Sequence, residues 1–239
     1  MTVADPVVFL LDVDNTLLDN DRVQDDLRAH LEGEFGARSR DRYWSIFEAL
    51  RAELGYADYL GALQRYRAQD ARGAMNDHRL LLMSSFLVDY PFADRLYPDA
   101  LAAIAHLRRW GPTVILSDGD VVFQPRKIQR SGLWGAVECR VLIYIHKETM
   151  LADLMRRYPA HHYVLVDDKL RILAAMKAVL NNRLTTVFAR QGHYALDPHN
   201  LSTYPPADLA VERIGDLLGW NCSTLNGAAE AVALERESI

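Results

Sequence analysis

The sequence predicts an α/β protein, a Rossmann-like parallel sheet core with an all-helical segment inserted after the first strand. Three observations carry that expectation. Short apolar runs alternate with stretches of helical spacing through the second half of the chain, the pattern of parallel strands covered by helices on both faces. Residues from about 21 to 92 show helical spacing with no strand pattern between them. The apolar runs also end in chemistry-bearing residues, as expected where an open parallel sheet binds its ligand.

The first run, Val7 to Leu11, is broken by Asp12 and followed by the turn and cap residues Asp14, Asn15 and Thr16, so it reads as a buried strand. It is too short and too soon interrupted for a signal peptide or membrane span. Helices are expected over Asp21 to Phe35, Ser39 to Leu54, Ala57 to Asp70 and Asp77 to Val88. Pro91 and Pro98 punctuate the return to the sheet. The later pattern predicts helices near Asp99 to Trp110, Pro125 to Ser131, Glu148 to Tyr158 and Lys169 to Leu180. It predicts strands at Thr113 to Leu116, Arg140 to Ile145, Tyr163 to Val166 and Leu184 to Phe188. The expected organisation is a core of residues 1–19 and 93–220, a helical unit of 20–92, and a tail of 221–239 that is a marginal helix or frayed terminus.

Half the residues are hydrophobic and a quarter charged, which fits a folded enzyme or binding domain rather than a disordered chain. The formal net charge of -5 argues against a nucleic-acid binder. Cys139 and Cys222 lie far apart with no CxxC pair, which suggests neither a disulfide framework nor a zinc site and fits a cytoplasmic protein.

Asp12-Val13-Asp14 ends the first strand, Ser117-Asp118-Gly119 the second, His146-Lys147 follows the third, and Asp167-Asp168 ends the fourth. Each has an ordinary explanation. Asp12 and Asp14 can start a turn, Ser117 to Gly119 can form a tight loop, Asp168 can cap the next helix, and Lys147 can be a solvated lysine. In combination they mean more, because carboxylates crowded at one sheet edge repel one another unless a cation stands among them. Hard oxygen ligands without a cysteine or histidine cluster point to magnesium.

Asp12-Val13-Asp14-Asn15-Thr16-Leu17, Ser117, Lys147 and Asp167-Asp168 resemble the four ordered motifs of the haloacid dehalogenase superfamily, over residues 7 to about 190. The helical block between the first two motifs resembles the family's helical cap. The resemblance implies a magnesium-dependent phosphatase, and a helical insertion large enough to roof the site suggests a small phosphorylated metabolite as substrate; the net charge and the short first apolar run lead us to expect neither nucleic-acid nor membrane partners. Asp12 is then the nucleophile that forms an aspartyl phosphate, and Asp14 the general acid and base. Ser117, Asp118, Gly119 and Lys147 surround the phosphoryl group. Magnesium is held by Asp12, Asp168 and the carbonyl of Asp14, with Asp167 a further ligand or acceptor. Two departures stand out: no further acid follows the Asp167-Asp168 pair closely, and Asp118 stands where asparagine is frequent.

Lys127 precedes the third strand within an exposed-looking helix start, Pro125-Arg126-Lys127, and so ranks well below Lys147 as the motif lysine. His161 and His162 precede the fourth strand, at the edge opposite the acids, whereas His193 follows the fifth at the same edge as the acids. Tyr59, Leu63 and Tyr66 share a helical face flanked by Arg65 and Arg67, which reads first as internal packing with a solvated arginine face and second as substrate recognition. Competing functions are a phosphomutase, a carbon-halogen hydrolase, a receiver domain and a non-catalytic phospho-ligand-binding module. Asp14 argues against the halide chemistry, and the helical insertion against the receiver. Retention of Asp12, Asp14, Ser117 and Lys147 together argues against the binding module.

Overall fold

The computed structural model describes residues 5–69 and 76–221. Its strands are β1 (Asp5–Leu11), β2 (Thr113–Asp118), β3 (Val141–Tyr144), β4 (Ala160–Asp167), β5 (Leu184–Ala189) and β6 (Leu209–Val211). Its helices are α1 (Asn20–Phe35), α2 (Ala37–Leu54), α3 (Tyr59–Gln69), α4 (Asp77–Asp89), α5 (Ala100–Leu107), α6 (Phe123–Arg130), α7 (Leu133–Ala136), α8 (Leu151–Arg157), α9 (Leu170–Leu180), α10 (Gly192–Leu196) and α11 (Pro198–Thr203). The strands form one parallel sheet in the order β3-β2-β1-β4-β5-β6. The chain enters in the middle, builds outward to β3, then crosses back to β4, so the direction of winding reverses between β1 and β4. A ligand crevice is expected beyond the carboxyl ends of the strands at that reversal.

Both faces of β1 are buried, as its unbroken apolar run requires. Val7, Phe9 and Leu11 join a core that continues into the inserted helices through Leu27, Leu31, Phe47 and Tyr59. Val8 and Leu10 face the opposite core with Leu165, Ile172 and Met176. The four helices α1 to α4 all lie between β1 and β2, so the expected all-helical insertion is present. Asp19 caps α1, its carboxylate accepting from the Arg22 backbone N–H at 2.9 Å, and Asn76 caps α4 through the Arg79 N–H at 3.0 Å. Gly55 ends α2 in the left-handed region at φ 78°, where a side chain would be strained.

Several expected boundaries move. The helix expected from Ala57 begins at Tyr59, and its expected last residue, Asp70, lies outside the described residues. The segment from Glu148 divides into a short 3-10 turn, Lys147–Thr149, and α8. β4 starts at Ala160 rather than Tyr163. The edge strand β6 has only three residues, too few for an alternating pattern to announce it. The tail expected over 221–239 also lies outside the described residues, apart from Asn221. Among the described residues, no helix is long and apolar enough to cross a membrane.

Candidate active site

β1 is hydrogen-bonded to β2 on one side and β4 on the other, so the residues that follow their carboxyl ends meet in space. Asp12 continues the ladder by donating its backbone N–H to the Val166 carbonyl at 3.0 Å, which sets its side chain beside Asp167 and Asp168. One carboxylate oxygen from each of Asp12, Asp167 and Asp168 lies within 4.8 Å of the other two, and all three residues are buried. Lys147, itself buried, reaches among them from the turn after β3. Its Nζ donates to Asp12 Oδ1 at 2.5 Å and to the Leu116 carbonyl at 3.2 Å, and lies 2.7 Å from Asp167 Oδ2. Thr16 Oγ1 donates to Asp12 Oδ2 at 3.2 Å. The structure thus brings Lys147, from its place after the third strand, against Asp12 and Asp167.

Burial by itself would raise the pKa of Asp12, but the ammonium groups of Lys147 and Lys169 hold the carboxyl below its ordinary range. Asp167 is displaced the other way, raised first by burial and then by the charge of Asp12. Asp168 is raised furthest: burial dominates, Asp167 and Asp12 add to it, and Lys169 and Lys147 only partly compensate. Lys147 is desolvated, yet the charges of Asp12, Asp167 and Asp118 raise its pKa and keep it protonated. Lys169 behaves likewise, its burial outweighed by Asp168, Asp12 and Asp167.

Asp168 does not cap α9, whose cap is Lys169, and the Lys169 backbone N–H donates instead to Asp167 Oδ1 at 2.8 Å. Both carboxylate oxygens of Asp168 are buried without a hydrogen-bond partner among the described residues. Buried carboxylates are rarely left so, because desolvation then goes uncompensated. A divalent cation between Asp12, Asp167 and Asp168 would satisfy those oxygens, and an all-oxygen donor set suits magnesium, calcium or manganese. The residues present therefore fit a hard metal ion.

Ser117, the next-to-last residue of β2, is buried, and its Oγ accepts from Gln124 Nε2 at 2.9 Å. Asp118 turns its carboxylate to the Lys147 backbone N–H at 2.6 Å, which fixes the turn that carries the lysine, and burial raises its pKa. Gly119 passes so near Gln124 that a Cβ there would lie 2.5 Å from the Gln124 Cβ, so glycine is required by close approach. Asp14 is partly open to a cavity of about 330 Å³ at the strand ends. Asn20, Arg51 and Tyr56 line this cavity from the side of the insertion, and Asp118, Lys169 and Tyr194 from the sheet edge. The volume is that of a small-molecule site.

Lys127 is not exposed as the sequence suggested. It is buried, with Nζ 2.6 Å from Asp14 Oδ1 and 2.9 Å from Asn20 Oδ1. Its side chain points inward to the first motif and the start of α1, while Arg126 and Arg130 of the same helix turn to α4. The sequence did carry a signal: Phe123, Gln124, Lys127 and Ile128 form one buried helical stripe, with two polar residues set among apolar ones. Lys169 and Arg51 also escaped notice. Lys169 Nζ stands 5.1 Å above the Tyr194 ring, and Arg51 Nη1 donates to Tyr194 Oη at 3.2 Å, joining α2 to α10.

Tyr59, Leu63 and Tyr66 are buried in the helical insertion, Arg65 pairs with Glu53 at 2.8 Å, and Arg67 pairs with Asp77 at 3.2 Å. The face is packing rather than a cavity wall. His161 and His162 open β4 at the far edge. His193 binds Asp21 Oδ1 at 2.5 Å at the start of α1, and is not among the residues lining the cavity.

A family model for haloacid dehalogenase-like hydrolases matches residues 7–179. A haloacid dehalogenase-like hydrolase from Burkholderia xenovorans LB400, solved by crystallography, is 69% identical, with a TM-score of 0.86 over 91% of this chain and 100% of that one. More distant folds include the L-2-haloacid dehalogenase of Xanthobacter autotrophicus, 18% identical at a TM-score of 0.58 over 89% and 96%. Another is magnesium-bound YfnB of Bacillus subtilis, 13% identical at 0.61 over 90% and 100%. A search of curated proteins returns no match. With four strand-end motifs gathered at one sheet edge and the family model spanning most of the core, the chain belongs to the haloacid dehalogenase-like hydrolases, a family of enzymes.

Proposed function

We propose that this hydrolase is a magnesium-dependent phosphatase acting on a small phosphorylated metabolite, with residues 20–92 as a cap over a core of 1–19 and 93–220. The observation that carries the reading is the second carboxylate of the first motif, Asp14, which lines the cavity, while buried Asp168, after the adjacent strand β4, has no hydrogen-bond partner among the described residues. Asp12 is the nucleophile toward phosphorus. Its ionised state is favoured by Lys147 and Lys169, as nucleophilic attack requires. Ser117 Oγ and Lys147 Nζ hold the transferring phosphoryl group, and Lys147 keeps its charge because acids surround it. Asp14 exchanges a proton with the leaving oxygen and with the hydrolytic water. Asp12, Asp168 and the Asp14 carbonyl would hold magnesium, with Asp167 beside them, and the ion when bound offsets the charge of an approaching phosphate. The magnesium recorded with the fold relative YfnB supports this choice of ion.

The test is a panel of phosphorylated metabolites and nitrophenyl phosphate, with magnesium or with chelator. Phosphate release that requires magnesium is expected. Asp12→Asn should abolish it and leave no phosphoenzyme. Asp14→Asn should give a burst of about one nitrophenolate per site followed by slow turnover, since each lost proton transfer is worth roughly 100-fold to 10,000-fold. Full activity in chelator overturns the metal role. Halide release from haloacids at a comparable rate, as the name of the Xanthobacter relative would suggest, moves the chain to carbon-halogen hydrolysis.

A further inference from the structure

The buried ammonium of Lys127 has no part in the reaction just described, although it is one of the most enclosed charges in the protein. It enters from α6 and meets Asp14 of the first motif, whereas Lys147 meets Asp12. Its Nζ lies 5.1 Å from the centre of the Phe123 ring, donates to Asp14 Oδ1 at 2.6 Å, and donates to Asn20 Oδ1 at 2.9 Å. One turn earlier on the same helix, Gln124 Nε2 donates to Ser117 Oγ at 2.9 Å and lies 3.4 Å from Asp14 Oδ2. The side chain of Asp14 remains 25% exposed, while that of Lys127 is 1% exposed. One oxygen of Asp14 is therefore tied to a cation on the protein side, and the carboxylate as a whole still opens to the cavity.

Resting on the phosphatase reading, we propose that Lys127 is a positioning residue for Asp14: the amine fixes Oδ1 and so sets Oδ2 as the oxygen that exchanges the proton with the reacting group. Gln124 makes the arrangement collective, since one amide spans Asp14 and the phosphate-holding Ser117. The physical need is steric as much as electrostatic. Asp14 follows the end of β1 in a polar turn, where a free carboxylate would rotate among staggered orientations. Proton transfer demands a heavy-atom approach of roughly 2.6 to 3.2 Å, so a wrong rotamer takes the group out of reach. A buried lysine is a costly way to fix a rotamer, because its desolvation must be repaid by well-placed acceptors. Both acceptors are present here. Packing alone would have been met by methionine of similar length.

The experiment compares Lys127→Met and Lys127→Arg with the wild type in the magnesium-loaded enzyme, using nitrophenyl phosphate and an alkyl phosphate. Lys127→Met should lower kcat by about 10- to 100-fold, the scale of a misplaced catalytic group, and change KM little. Lys127→Arg should recover part of the loss. The decisive measurement is the double-mutant cycle with Asp14→Asn. If Lys127 acts through Asp14, Lys127→Met should have little further effect once the carboxylate is gone. A purely structural lysine would instead lower folded yield and thermal midpoint, and its effect on turnover would be the same in both backgrounds. Unchanged kcat in Lys127→Met, or independent effects in the cycle, overturns the proposal while leaving the phosphatase intact. Wild-type activity retained in Asp14→Asn overturns the phosphatase reading itself. Crystal structures of Lys127→Met and wild type give a readout independent of turnover: the Asp14 carboxylate should change rotamer, and an unmoved Asp14 overturns the placement.

Discussion

Replacing Asp168 by asparagine should make the metal-free protein more stable and blind to magnesium. One oxygen of the Asp168 carboxylate lies within 4.8 Å of an oxygen of Asp12 and of Asp167, and neither of its oxygens has a hydrogen-bond donor among the described residues. Two unit charges at that separation repel by about 3.5 kcal/mol at an effective dielectric constant of about 20. Lys169 and Lys147 offset part of this, so neutralising Asp168 should recover on the order of 1 to 3 kcal/mol. For the wild type, magnesium at about 100 times its dissociation constant should stabilise by about 2.7 kcal/mol, which for a chain of this size is a rise in Tm of about 5 to 10 °C.

The pH dependence has a definite sign. The Asp168 carboxyl is raised well above its ordinary value of 3.8, chiefly by burial, so the folded metal-free protein holds that proton more tightly than the unfolded chain. Its contribution is fully present below pH 3.8 and is lost as pH rises through the folded value. The metal-free wild type should therefore lose stability over that rise, the asparagine variant should lose less, and the magnesium increment should grow with pH. Differential scanning fluorimetry with magnesium or chelator across pH reads all three. A magnesium shift retained in Asp168→Asn, or absent from the wild type, refutes the reasoning.

Lys147→Met should cost about 3 to 5 kcal/mol in chemical denaturation, because it leaves Asp12 and Asp167 buried beside Asp168 without their shared cation; a loss under 1 kcal/mol would mean that the pair is hydrated in solution. Gly55→Ala combines a left-handed φ of 78° with a Cβ 2.5 Å from His146 Cε1. It should destabilise by about 1 kcal/mol or more and speed amide exchange at the end of α2, and unchanged exchange would show that the contact between Gly55 and His146 does not hold this end down.

What the sequence made legible is what a strand end makes legible. Asp12, Ser117 and Asp167 terminate apolar runs, and in a parallel sheet the ends of adjacent strands are neighbours whatever the intervening chain does. Lys127 and Arg51 are different, because their positions depend on how helices dock on other elements. Nothing within α6 distinguishes a lysine turned in to Asp14 and Asn20 from one in water, except the unusual pairing of Gln124 and Lys127 on the stripe of Phe123 and Ile128. Arg51 faces Tyr194 across 143 residues of sequence, a meeting no local pattern announces. Asp168 is intermediate. Its place at a strand end is readable, but its lack of a hydrogen-bond partner among the described residues is not, because the sequence suits a helix-capping role equally well and only the structure gives that position to Lys169.

The charges of the site explain why so many ionisable groups are tolerated at one edge. Asp12, Asp14, Asp118, Asp167 and Asp168 confront Lys127, Lys147 and Lys169, each lysine close to at least one acid. With all of them ionised the carboxylates outnumber the ammonium groups by two, the charge carried by one divalent cation. The lysines are not interchangeable in this balance. Lys127 is committed to Asp14 and Asn20, and Lys147 to Asp12 and Asp167, so neither can turn to Asp168 without abandoning a buried acid. Lys169 comes nearest, but its amine stands over the Tyr194 ring at the cavity wall. Asp168, with no donor among the described residues, is therefore the acid whose charge is least compensated, and on the phosphatase reading its ionised form repels a dianionic substrate until a cation arrives. On the phosphatase reading, the order of binding follows from this placement, with the metal ion first and the phosphate ester second.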